Sequence, residues 1–119
     1  MTPKQERITT HIRQMILAAF TTANTPAEID DWAKVQATKV SVRVDDSNPK
    51  MEIYTAMSYD ESVTWEFSYD YLPDRNPPPF MCYRIIYDSD LPDAVANWIS
   101  AAQAQDRFSA HPDDQRLHF

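Results

Sequence analysis

From Val63 to Tyr71 the chain alternates without a break. Val63, Trp65, Phe67, Tyr69 and Tyr71 share one parity, and Thr64, Glu66, Ser68 and Asp70 share the other. A period of two marks a strand with one face in a core and one in water. Upstream, Val40, Val42 and Val44 alternate with Ser41 and Arg43, in a strand expected to begin near Lys34 with a bulge where the parity slips. Between these two runs, Met51, Ile53, Met57 and Tyr59 fall on one parity, which assigns Tyr54 to the polar face. Asp45-Asp46-Ser47-Asn48-Pro49 and Asp60-Glu61-Ser62 separate the runs. Connections this short imply antiparallel neighbours, hence a meander. Leu72–Phe80 holds four prolines and reads as an extended connection, and Cys82–Tyr87 as a fourth strand at an edge.

Helical periodicity brackets the strands. Thr2-Pro3-Lys4-Gln5 and Thr25-Pro26-Ala27-Glu28 each place a capping Thr, a Pro at the first helical position and Gln or Glu two residues later. After the first, Ile8, Ile12, Met15, Ile16 and Ala19 form one apolar stripe as far as Phe20. The second is expected to give only a short helical turn, with strand alternation following Trp32. Near the end, Asp90 is expected to cap a helix with Asp93 in its first turn, and Leu91, Val95, Trp98, Ile99 and Ala102 make its stripe. The order predicts an α+β two-layer sandwich, a three- to four-stranded antiparallel meander covered on one face by N- and C-terminal helices. Residues 1–106 form the single domain, and 107–119 (RFSAHPDDQRLHF) read as a polar tail.

Composition narrows the function. The chain has 119 residues and no glycine at all, which removes Gly-rich phosphate loops, dinucleotide fingerprints and nucleophile elbows. Its turns must rely on Asp, Asn and Pro. Net charge is −7, and it is uneven: residues 45–93 carry eleven acids against three bases. Such a field repels nucleic acid and anionic lipid and steers a basic partner inward. One cysteine, Cys82, precludes an internal disulfide, no apolar run reaches the roughly 18 residues of a membrane span, and the polar N-terminus is unlike a signal peptide. A cytoplasmic location is the expectation.

Candidate chemistry is sparse. His11, His111 and His118 lack metal-ligand spacing. Glu66 and Asp70 stand about 13 Å apart along one strand, too far for a carboxylate dyad. Asp88-x-Asp90-x-x-Asp93 lacks the glycine and closing glutamate of a calcium loop. Cys82 has no companion marking a redox or nucleophilic motif, and a buried, inert thiol is expected. No enzyme activity, cofactor or metal is expected. The feature that stands out is an acidic, partly aromatic sheet face, with Tyr54, Asp60, Glu61, Glu66, Asp70 and Asp74 as candidate partner-binding residues.

Two motifs carry a resemblance. Phe67-Ser-Tyr-Asp-Tyr71 is followed by Asp74 and a proline-rich run, and Asp31-Trp32-Ala-Lys34-Val35 opens a strand after an N-terminal helix. With Asn97-Trp98-Ile99 in the last helix, they resemble the YezG-like immunity proteins of bacterial polymorphic toxin systems over roughly residues 5–100. The resemblance implies a non-enzymatic cytoplasmic antitoxin that binds its cognate toxin domain, often a nuclease, and blocks its active site. Asp60-Glu61-Ser62 stands where that family usually has a glycine. The alternatives are an acidic secretion chaperone, which would be an obligate dimer, and a nucleic-acid mimic, which would need acids in a phosphate-like row. The expected partner is a cognate toxin or effector with a basic surface, and the chain itself a monomer or homodimer.

Overall fold

A computed structural model of the chain describes residues 2–21, 24–34, 39–45, 48–70 and 80–109. Its elements run α1 (Pro3–Phe20), α2 (Ala27–Lys34), β1 (Lys39–Asp45), β2 (Asn48–Met57), β3 (Val63–Asp70), β4 (Phe80–Tyr87) and α3 (Asp93–Ala104). The strands form one antiparallel sheet in the order β1-β2-β3-β4. The expected meander is present with its fourth strand at an edge, in a two-layer α+β architecture.

α1 starts as its sequence dictates. The Thr2 hydroxyl accepts from the Gln5 backbone N–H (3.1 Å) and the Gln5 side-chain oxygen accepts from the Thr2 N–H (2.8 Å), a reciprocal capping box with Pro3 behind it. Ile8, Ile12, Met15, Ile16, Ala19 and Phe20 are buried together with Ile29 and Ala33 of α2 and Val95, Ile99 and Ala102 of α3. All of them meet one face of the sheet, made by Tyr54 and Ala56 of β2 and Val63, Trp65, Phe67 and Tyr69 of β3. Phe20, Trp32, Trp65 and Phe108 cluster at one end, with ring centroids 5.3–6.5 Å apart. At the other end Tyr54 and Tyr69 meet edge to face at 6.2 Å.

The parity of β2 is the main correction. Tyr54 pairs with Phe67 and Ala56 with Trp65, so the even positions of β2 share the inward face of β3. Tyr54, assigned to the polar face from its neighbours, is fully buried, whereas Tyr59 is exposed. Both parities of β2 carry apolar side chains, and Ile53, on the side away from the helices, is itself only 5% exposed. Hydropathy therefore pointed the wrong way.

Several boundaries also moved. α2 is eight residues long, beyond the single turn expected, with Lys34 of its last turn paired to Asp30 at 2.7 Å. Its start shifts by one residue, since the Pro26 carbonyl accepts from Ile29 and Asp30. β1 begins at Lys39 rather than near Lys34. Asp90 does not cap α3: the cap position is Pro92, which offers no side-chain acceptor, and Asp93 is the first helical residue. Residues 106–109 are anchored, so the first three residues of the tail expected from residue 107 belong to the folded domain. Asp106, at φ 56°, turns the chain with Arg107 N–H to Ala102 O and Asp106 N–H to Gln103 O. This is a Schellman turn with aspartate where glycine is usual. It delivers Phe108 into the core, and Arg107 onto the Ala19 carbonyl and the Trp98 ring. Residues 110–119, with His111 and His118, lie outside the described residues, as do Tyr71 and the proline-rich run up to residue 79.

Candidate protein-binding site

The core cluster draws only on the inward face of the sheet, so the helices stand on one side. On the other side the register sets Thr64, Glu66 and Ser68 of β3 against Ile86, Arg84 and Met81 of β4. The pairing slips between Glu66 and Phe67, leaving Tyr83 as an extra residue in β4. Such a bulge re-aims a side chain. The Tyr83 hydroxyl donates to Glu66 Oε2 at 3.0 Å, holding the ring against the acid. Around this pair Met81 (49% exposed), Tyr83 (50%) and Ile86 (43%) remain open to solvent. Half-exposed aromatic and aliphatic side chains around one acid are the composition of an interface centre.

The six proposed binding residues fare differently. Glu66 is on the open face, as its parity required. Asp60 is in the β2–β3 turn, where Oδ1 accepts from the Ser62 hydroxyl (2.6 Å), the Ser58 hydroxyl (2.9 Å) and the Ser62 N–H (3.0 Å). That carboxylate organises the turn, the role glycine-free loops give to aspartate. Glu61 sits beside it at φ 63° with its carboxylate 3.9 Å from Lys39 Nζ, exposed on both sides. Asp70 ends β3. Asp74 lies outside the described residues. Tyr54 is withdrawn from the surface altogether: its hydroxyl donates to Glu52 Oε1 at 3.0 Å inside the core.

Glu52 is the residue that sequence reasoning missed. It is buried on the inward face of β2, where the Gln5 side-chain amide and the Tyr54 hydroxyl both donate to its carboxylate. Gln5 thus closes the α1 cap with one end and ties the helix to the sheet with the other. One acid counted in the acidic half of the chain is therefore absent from the surface. Nearby, burial and then the charge of Glu52 push the Tyr69 hydroxyl up to about 12, and Lys4 Nζ stands 5.7 Å above that ring. The only sequence signal was parity: Glu52, Tyr54, Ala56 and Ser58 share one, and all four are buried.

Cys82 is half-buried, and burial pushes its thiol up to about 12, which leaves it a weak nucleophile at neutral pH. His11 is half-buried on α1, whose outer surface bears a shallow depression lined by Pro3, Glu6, Arg7, Thr10, His11 and Gln14. Among the described residues no three His, Cys, Asp or Glu side chains gather as a metal site, and no helix is long and apolar enough to cross a membrane. Comparison of the chain with protein-family models, curated proteins and solved structures finds no match to any of them.

Proposed function

We propose that this chain is a cytoplasmic immunity protein that binds and neutralises a toxin domain with a basic, nuclease-type surface, using the open face of β3 and β4. The observation that carries this reading is the one-sided architecture. Three helices pack on the inward face, while Met81, Tyr83 and Ile86 surround Glu66 on the other. The acids of the β2–β3 turn (Asp60, Glu61) and of the β4–α3 turn (Asp88, Asp90) add negative charge at one end of that face, outnumbering Arg84 of β4 and Lys39 of β1, which stands 3.9 Å from Glu61. A nuclease must present a basic surface to its substrate, so an acidic cap competes for the surface that catalysis needs. Charge speeds the encounter, and the desolvated aromatic and aliphatic centre holds the complex. The uncrosslinked Cys82 fits a reducing cytoplasm. The test is capture of the bound protein from producing cells, its identification, and a growth assay in which the chain is co-expressed with it. Glu66→Lys with Asp70→Lys is expected to abolish both capture and rescue while leaving the melting temperature near wild type. Full rescue by that double variant excludes the face.

A further inference from the structure

The two edges of the sheet are built differently. β1 reads KVSVRVD, with three charged residues in seven, whereas β4 reads FMCYRIIY, with Arg84 its one charge in eight. A strand edge offers unpaired N–H and C=O groups, and charged residues on it discourage further pairing. β4 lacks that protection.

Its free rungs can be located. The Asp88 N–H donates to Ser62 O at 2.9 Å, so Asp88 is directed at the β3 side. Antiparallel alternation then directs Ile86 to β3 and the backbone groups of Ile85 and Tyr87 outward. Beyond the bulge, the outward N–H of Cys82 is taken by Ser109 Oγ at 2.9 Å. Among the described residues nothing takes those of Ile85 and Tyr87. Met81, Ile86 and Tyr87 flank the open rungs as half-exposed apolar groups, and Asp88, Asp90 and Asp106 are exposed around them.

We propose that the β4 edge is a strand-addition site for an extended basic segment of the partner protein. This rests on the protein-binding reading above and adds its mode. The segment pairs its backbone with Ile85 and Tyr87, lays alternate apolar side chains beside Ile86 and Met81, and turns Lys or Arg toward Asp88 and Asp90. Charge selects this occupant over a second copy, which would bring one −7 chain against another.

The test uses the full chain, isotopically labelled, titrated at low salt with a short capped peptide alternating Lys and Val, and with its Glu–Val counterpart. Amide shifts and slowed exchange are expected at Ile85 and Tyr87 with the Lys peptide, at about tenfold tighter affinity than with the Glu peptide. Ile85→Pro, a residue type that edge strands tolerate, is expected to abolish the response. Should that variant lose its native spectrum, Asp88→Lys with Asp90→Lys serves instead and is expected to reverse the peptide preference. No change at Ile85 and Tyr87 at millimolar peptide overturns the proposal, as does a response confined to Glu66 and Ser68. Concentration-dependent shifts at these amides without peptide overturn it in favour of a second copy. Captured toxin still bound by Ile85→Pro leaves the open face standing without the edge. A Lys-peptide response with no toxin captured leaves the edge standing without the immunity role.

Discussion

β2 and β3 lie side by side, yet only one of them shows its orientation in its sequence. In β3 every inward position is large and apolar or aromatic, and every outward one is polar or acidic, so hydropathy and burial agree. In β2 the outward positions include Met51, Ile53 and Met57, and the inward ones include Glu52, Tyr54 and Ala56, with Ser58 buried just past the strand end. An acid is expected outside because burying an unpaired carboxylate is costly. Here the cost is offset by two donors, one of them Gln5, 47 residues away in sequence. Periodicity reads one segment at a time and cannot see a donor supplied by another element. A strand with apolar residues on both parities is thus oriented by its polar partners, as much as by its greasy side chains.

The largest break of this comparison comes from placing a charge at adjacent positions of β2. Ala56→Asp puts a carboxylate in the core and is expected to cost several kcal/mol, enough to prevent folding, whereas Thr55→Asp, facing outward, is expected to stay within about 1 kcal/mol of wild type. Equal effects in a denaturant titration would reverse the assigned parity. Next, Tyr54→Phe removes one donor to Glu52 and is expected to cost about 1–3 kcal/mol, with Glu52→Ala at least as much because it strands Gln5 and Tyr54. A value near zero for both would mean that the carboxylate is not held inside.

High pH sharpens the comparison through Tyr69 and Cys82. Both hold their protons in the folded state up to about 12, above the ordinary 10.0 and 9.0 of tyrosine and cysteine. The unfolded chain releases protons first, so stability is complete below about pH 9 and falls between pH 9 and 12. Tyr69→Phe is expected to flatten the upper part of that decline and Cys82→Ser the lower part, read as urea midpoints against pH. Identical slopes in variants and wild type would contradict the burial of these groups. The smallest effect is at Glu61, whose φ of 63° suits glycine: Glu61→Gly is expected to raise stability by about 1 kcal/mol, and a loss would show that its pairing with Lys39 outweighs backbone strain.

The layer architecture, the α1 cap, the meander order and the inward face of β3 were all legible because each rests on local signals. Thr2 and Gln5 cap within four residues, and Trp65, Phe67 and Tyr69 alternate without exception. Glu66 was legible as a surface acid for the same reason. Tyr54 was misplaced and Glu52 overlooked because their positions depend on α1. Tyr83 went unnoticed because a one-residue bulge leaves no mark on hydropathy. The anchoring of Phe108 was hidden by polar neighbours, since the turn at Asp106 uses a residue that ordinarily reads as loop.

Hydrogen exchange of the chain alone and in complex with its captured partner tests the central claim, that the open side of β3 and β4 is the binding surface. New protection is expected at Glu66 and through Tyr83–Tyr87, with the amides of α1 unchanged. Protection concentrated on the outer surface of α1, around Arg7, His11 and Gln14, with β4 exchanging as before, would contradict it.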